Sequence, residues 1–501
     1  MRRLILSIAF PYLFIFISML ILASGPGAIA QEWSTPVRIS EPGGCWTPQI
    51  LAQGDTLHVI YSNSKDGWKI SYVGSTDGGE TWTSYQVLSV TVNTSNTYFP
   101  RVIGHNGQLL AVWIAYFLHG VYRFNIGYSA SNDNGINWSS PQYILDSNLE
   151  WPFYLTAAGA DSLIIIIFSW GYADSMYFYA CRSTDFGARW FAPRQIFSAS
   201  EVGGLDIAVS DTLAFLSWAG RFNTIQHVEI YYTSSSDAGI DWSPNIPLSE
   251  PDQFHSQLPS IDVDRTGNVA LAWMDYKRSP YFSTGDILAR KSDDHGNDWM
   301  PEVQITQRHR SWSPDIVSQG DTLYVVWQDH RPENGRFSIY FSQSTDDGQT
   351  WSDEFRLDSD SCESREPVLA TSYGGVYAVW AETRYSPDTS GLYFSRWPYE
   401  PDAIGEEDAD ALPREITLSA YPNPFNSSTI ISYRGASVSS IAIYDIEGRL
   451  VRNLVTDAEN GDIIWDARDE KGRGLSSGIY FARAVGKDDS RSAYLKLICT
   501  K

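Results

Sequence analysis

The sequence predicts an all-β protein: a propeller of seven four-stranded blades, followed by a small β-sandwich. Three observations carry this. Runs that alternate apolar and polar residues, such as "TLHVIYS" and "TLYVVWQ", dominate the chain, and period two belongs to strands. A Ser-x-Asp-x-Gly-x-x-Trp phrase is written six times, from "STDGGETW" at Ser75 to "STDDGQTW" at Ser344. Its aspartates, Asp77, Asp133, Asp185, Asp237, Asp294 and Asp346, lie 56, 52, 52, 57 and 52 residues apart. A fixed period near fifty, with several short strands in each unit, belongs to a propeller.

Residues 1–30 read as an export signal. Arg2 and Arg3 precede an apolar run from Leu4 to Ala23, and Ala28-Ile29-Ala30 offers a cleavage site before Gln31. A membrane anchor is the alternative, but no basic residues follow the run. Residues 31–397 hold the repeated units. Each has an aromatic or polar residue shortly before a proline, as in Trp46/Pro48, Tyr98/Pro100 and Trp312/Pro314, then a short strand and a tight turn. A second strand ends near Trp113, Trp218, Trp273, Trp327 or Trp380. A variable loop, a third strand, the phrase and a fourth strand complete the unit.

The phrase therefore falls in the hairpin between strands three and four. There its Asp accepts hydrogen bonds from turn amides, its Gly supplies a backbone angle other residues resist, and its Trp covers a seam between blades. That is a structural role for all six aspartates. A seventh unit, from Arg365, stops where its phrase is due. The strand-like "EWSTPVRIS" at Glu32 resembles the missing piece. The expectation is ring closure: Trp33 to Ile39 forms the outer strand of the last blade and removes an exposed edge. Cys45 and Cys362 would then be neighbours, and a disulfide between them or two free thiols are both open. Cys181, inside a third strand, should be buried.

The phrase resembles the Asp-box, the bacterial neuraminidase repeat of the sialidase superfamily. Six copies cover roughly 270 residues. The resemblance implies a propeller and a secreted, sugar-directed protein, either an exo-acting glycoside hydrolase or a non-catalytic binder. Members typically have six blades, so six is the alternative to seven. A sialidase would also carry an arginine triad, a Tyr/Glu nucleophile couple and a loop Asp. Its early aromatic-Arg-Ile-Pro run is absent, and "FPRVIG" around Arg101 only echoes it.

After Trp397 the character changes. Residues 398–415 are acidic and strand-poor, a linker. Residues 416–501 return to strands. "YPNPFNSSTIISY", "IYDIEGRLVRNL" and "WDARDEKGRGLSSGIYFARA" resemble the C-terminal sorting domain of type IX secretion cargo. That resemblance implies outer-membrane secretion machinery as a partner, and release from the cell or surface attachment.

The formal charge of −23 speaks against nucleic acid, which needs a basic face. Four cysteines without C-x-x-C spacing and eight scattered histidines give no metal motif, and no cofactor is expected. The chain is expected to be a monomer that binds a glycan or glycoconjugate.

Strand parity places the phrase on one face and the variable loops on the other, where a ligand site is expected. The loops of blades five, six and seven each set an acid two places after a Trp, with an Arg shortly beyond: Asp275/Arg278, Asp329/Arg331 and Glu382/Arg384. Arg101, Arg221, Arg365 and the aromatics Trp46, Tyr98, Trp151 and Trp312 fall near the same mouth. In a sugar site, Asp275, Asp329 and Glu382, with Tyr385 beside Arg384, are the catalytic candidates. The arginines would clamp an acidic sugar and the aromatics would stack on rings. The alternative is that each acid–arginine pair is a duplicated ion pair and the aromatics fill seams. A structural adhesion module is a third possible function.

Overall fold

A computed structural model describes residues 33–397 and 417–500, apart from short stretches that include 146–151, 222–226, 278–284, 331–334 and 384–390. The expected signal peptide and linker lie outside the described residues. The chain divides into two compact units, 1–401 and 402–501.

Among the described residues the first unit contains seven four-stranded antiparallel sheets, each in the order of the chain save the last. The innermost strand of each blade comes first in its unit: Cys45–Gln53, Thr94–His105, Pro152–Ala160, Glu201–Ser210, Ser256–Val263, Ser311–Gln319 and Glu363–Ser372. Each packs on its neighbours round a ring, and the last packs on the first. The seventh sheet is completed from the N-terminal side. Val37 and Arg38 pair antiparallel with Phe394 and Tyr393 of Gly391–Trp397. Amides of Ser34 and Ile39 extend the pairing to the Arg396 and Leu392 carbonyls, each at 2.9 Å. The expected closure therefore holds, and no blade is left with an open outer edge at the seam.

Second strands such as Leu213–Arg221 and Gly375–Thr383 lie between two strands and between two blades. Both of their faces are buried, which is why they read as near-continuous apolar runs. Trp113, Trp218, Trp273, Trp327 and Trp380 are fully buried near their ends. Cys181 is buried as expected and packs among Ile164, Ile166 and Phe168.

The phrase forms the same turn six times. Its Ser ends the third strand. In the first copy, the Ser75 hydroxyl donates to Asp77 (2.7 Å) and accepts the Gly79 amide (2.9 Å). Asp77 accepts the Thr81 amide at 2.9 Å, and the Trp82 indole donates to the Gly79 carbonyl at 3.0 Å. Asp133, Asp185, Asp237, Asp294 and Asp346 repeat the amide bond at 2.8–2.9 Å. In the first four copies the residue before the glycine donates its amide to the turn between strands one and two, as Asn134 does to Gly107 (2.9 Å). Both turns therefore share a face.

The phrase Trp packs on the preceding blade: Trp82 on Phe394, Trp138 on Tyr72, Trp299 on Tyr232, with ring centroids 5.1 Å apart. The glycine is required twice over at Gly296. Its φ is +76°, and a Cβ there would stand 1.9 Å from the Tyr232 hydroxyl.

Every first strand carries a β-bulge, at Trp46/Gln49, Tyr98/Arg101, Gln257/Ser260, Trp312/Asp315 and Arg365/Val368 among others. The aromatic-or-polar-x-Pro signal marks it. Proline cannot donate to a ladder, so it sits where the ladder is broken. Thr47, Phe99, Leu258, Ser313 and Glu366, each just before the proline, have φ of 48–54°. The bulge re-aims the residues after it, with a consequence for Arg101 described below.

All four cysteines are free thiols. The open question of a Cys45–Cys362 bridge is answered against it. Cys45 lies against Ser40 and Glu41, whereas Cys362 contacts Ser359 and Ser364.

The second unit has a three-stranded sheet, Thr417–Tyr421, Thr429–Arg434 and Gly461–Trp465, and a four-stranded one. The latter comprises Leu450–Val455, Val438–Asp445, Gly478–Gly486 and Ser492–Cys499. Its core includes Phe425, Ile431, Ile441, Trp465, Tyr480 and Leu497.

Candidate functional site

The axis of the ring is a channel lined by first-strand side chains. Arg101 points into it, not onto the outer face where its place at the start of blade two puts it. The bulge at Tyr98/Arg101 turns it inward. Its Nε donates to Thr156 Oγ1 at 3.3 Å, and Thr156 donates to Asp206 at 3.0 Å.

From there a girdle of side-chain bonds passes from blade to blade. Asp206 accepts the Ile261 amide at 3.1 Å, and Asp262 accepts the Ser318 amide and hydroxyl, each at 2.7 Å. Ser260 donates to Asp315 at 2.9 Å, and Asp315 accepts the Leu369 amide at 2.6 Å. Glu366 accepts the Thr47 amide at 2.6 Å and reaches blade one. Burial pushes Asp262 up to about 6. Burial, with the charges of Asp206 and Asp262, pushes Asp315 up to about 7. Burial also raises Asp206, against the pull of Arg101.

The acids of blades five to seven lie at the last or last-but-one position of their second strands, below the surface. Asp275, Asp329 and Glu382 are 7%, 0% and 2% exposed. Asp275 accepts the Ser256 hydroxyl (2.8 Å) and the Lys277 amide (2.7 Å), and Asp329 accepts the Ser311 hydroxyl (2.8 Å). Glu382 stands opposite Ser364 in register, beside the Cys362 thiol. Each acid thus meets a small first-strand side chain of its own blade. Their expected partners Arg278, Arg331 and Arg384, with Tyr385 and Trp151, lie outside the described residues. Arg365 pairs with Glu363 at 2.9 Å and lies 4.2 Å over the Phe337 ring. Arg221 pairs with Glu201 at 2.9 Å.

The aromatics at the mouth are partly exposed and grouped. Tyr98 packs on Trp68 (5.5 Å) and Tyr116 (5.4 Å), and Trp312 packs on Phe337 (4.9 Å). Trp46 is partly exposed at the bulge of blade one.

Two arrangements escape sequence reasoning. Between blades four and five, buried Glu229 accepts the Ser249 hydroxyl at 2.6 Å. Burial, with Asp252 and Asp275 nearby, pushes it up to about 7. His255 accepts the Val228 amide at 3.0 Å, and its ring is 5.2 Å from that of His227. The available signal was that Glu229 and Asp286 are the two acids that open a third strand, in neighbouring blades. Among the described residues no group of three or more His, Cys, Asp or Glu could hold a metal ion.

Residues 419–499 match the family model of the secretion system C-terminal sorting domain. The tail is a sorting domain. It directs the chain, by type IX secretion, to the cell surface or the medium. No curated protein matches this chain. Among solved structures, an ulvan lyase of polysaccharide lyase family PL25 is similar at 12% identity and TM-score 0.52, over 72% of this chain and 95% of that one. A second structure of a PL25 ulvan lyase, bound to -[GlcA(1-4)Rha3S]-, has a TM-score of 0.51 at the same coverage. The phage phi92 endosialidase aligns over 92% of this chain and 87% of its own, at 11% identity and TM-score 0.45. The first unit thus shares the propeller fold of the PL25 ulvan lyases and precedes the sorting domain in the chain.

Proposed function

We propose that this is a glycan-binding propeller, displayed or released through its sorting domain, that uses the face opposite the Asp-boxes. The observation that carries the reading is the arc of partly exposed aromatics, Trp46, Trp68, Tyr98 and Trp312, with Arg365 stacked on Phe337 in the same arc. Aromatic faces suit pyranose rings, and a planar guanidinium suits a carboxylate or sulfate. The similar ulvan lyase is bound to -[GlcA(1-4)Rha3S]-, an acidic, sulfated saccharide, which supports an anionic glycan as the ligand class.

A glycoside hydrolase is the second reading. Asp275 and Glu229 favour it, since carboxyls raised by burial are acid-catalyst candidates. A surface adhesion module is the third.

Calorimetry against matched acidic and neutral oligosaccharides, with a turnover assay alongside, separates them. Binding without turnover is expected. Arg365→Ala should weaken an acidic glycan by about 1.5–3 kcal/mol and a neutral one much less. Release of sugar that Asp329→Asn or Asp275→Asn abolishes would select the hydrolase. Protein binding with no glycan retained would select adhesion. Arg278, Arg331 and Arg384 remain candidate clamps in this proposal.

A further inference from the structure

On the Asp-box face, a depression of about 870 Å³ opens at the mouth of the ring. It runs into the axial channel, since Leu51, Gly104, Asp262 and Val263 line both. Its walls are turns between first and second strands. In blades one to four and in blade six these turns are two residues long, as the registers Gln53↔Thr56 and His105↔Gln108 show. Blade five departs from the repeat. Val263 pairs with Val269, which leaves a five-residue finger, 264–268.

The finger is rigidly folded. Asp264 accepts the amides of Thr266 (2.8 Å) and Asn268 (2.9 Å) and the Asn268 side-chain amide (2.9 Å). It sets Arg265 and Thr266 in the wall of the mouth, with Gln53 and Asn106 also in that wall. Another stretch of wall is stitched in place. Gln319 donates to the Ser372 carbonyl, and the Ser372 hydroxyl donates to the Gly54 carbonyl, each at 2.8 Å.

We infer that this funnel is a second binding site, for the neutral, hydroxyl-rich end of a saccharide chain. Its volume falls within the range of ligand pockets, about 300–1,000 Å³. Charge selects the class. An anion entering would face Asp262 and, deeper, Asp206 and Asp315. A cation would meet the Arg265 guanidinium at the rim, where the neighbouring Asp264 carboxylate is already engaged by the Thr266 and Asn268 amides. Among the described residues His105 is the one aromatic ring in the wall, which is otherwise mostly polar side chains and backbone. The Gln53 and Asn106 carboxamides both donate and accept, and the Thr266 and Ser318 hydroxyls, whose protons go to Asp264 and Asp262, still accept, a set that matches sugar hydroxyls. The site is independent of the aromatic arc and lies on the opposite face.

The test uses the full chain on a panel of neutral gluco-, galacto-, manno- and rhamno-configured oligosaccharides. Residues 264–268 are replaced by Asn-Gly, the turn blade two already uses. Gln53→Ala/Asn106→Ala is the second variant, should the first not fold; Ile246→Ala, on the exposed outer strand of blade four, is the control, and Trp312→Ala reports on the aromatic arc. The expected result is that wild type retains a neutral oligosaccharide, that either funnel variant weakens it tenfold or more, and that Ile246→Ala leaves it unchanged. Bound sugar should also slow amide exchange at 53–56 and 318–320. Retention of no neutral sugar, or loss on Trp312→Ala with none on the funnel variants, overturns the inference. Failure of the aromatic-arc reading would show separately, as acidic glycans that ignore both Arg365→Ala and Trp312→Ala.

Discussion

Ser344 shows what one residue of the phrase does. Its hydroxyl donates to Asp346 at 2.8 Å and accepts the buried Gly348 amide at 2.9 Å. Ser344→Ala strands that amide, which costs about 1–3 kcal/mol. Urea unfolding should show the loss, while glycan affinity on the far face stays unchanged. The six phrase aspartates carry a matching acid dependence. Hydrogen bonds hold Asp346 below its ordinary value, first from the Thr350 hydroxyl and then from its amide. The other five are lowered as well. A lowered carboxyl contributes stability that is present above its unfolded value, about 3.9, and is lost as pH falls through the folded one. Thermal melts should therefore drop below about pH 4, and an Asp346→Asn protein should lose part of that slope.

At the scale of elements, the Val37–Arg38 strand does more than its two paired residues suggest. With Ser34 and Ile39 it covers the outer edge of the seventh sheet. The Ser395 hydroxyl donates to the Ser34 carbonyl at 2.7 Å, and Trp33 packs against Phe341 of blade six at 4.9 Å. Deleting residues 33–40 exposes an edge and the apolar side of two blades. A sharp fall in melting temperature and a gain in concentration-dependent association are expected by calorimetry and light scattering. An unchanged melt would mean that the seventh sheet stands without its fourth strand. Parity of the strands was legible because a four-stranded blade must alternate turns between two faces. The bulges were not legible as bulges, although the x-Pro signal sat on them, because the sequence shows a broken ladder only as a proline.

Over the whole molecule, the girdle couples the blades to pH. Asp315, at about 7, and Asp262, at about 6, are raised in the folded ring. A raised carboxyl gives stability that is full below its unfolded value and is lost as pH rises through the folded one. The groups facing the pair in the channel are Asp206 and Arg101. Stability should thus increase as pH falls from 8 to 5, before the phrase aspartates reverse the trend. Asp315→Asn should flatten that rise, with the fold intact by circular dichroism. A wild-type melting temperature constant from pH 5 to 8 would show that the channel carboxylates stay ionised in the folded protein.

The sequence by itself determined the architecture of this protein. A phrase repeated every fifty residues, alternation at period two, and a truncated last unit matched by a strand at the other end leave few alternatives to a closed propeller. The sorting motifs at the tail are equally local. Each of these is a pattern in chain order, and local patterns survive without coordinates. Only the tertiary structure decided where side chains meet. It put Arg101 in the channel, because a bulge reverses which way a strand residue points. It buried Asp275, Asp329 and Glu382 against first-strand neighbours, because the acid that ends a strand can turn under the surface as easily as out of it. It also set Glu229 against Ser249 and His227 beside His255, and opened the funnel beside the blade-five finger. Those encounters join residues dozens of positions apart, and their geometry depends on how seven sheets pack, which no single stretch of chain encodes.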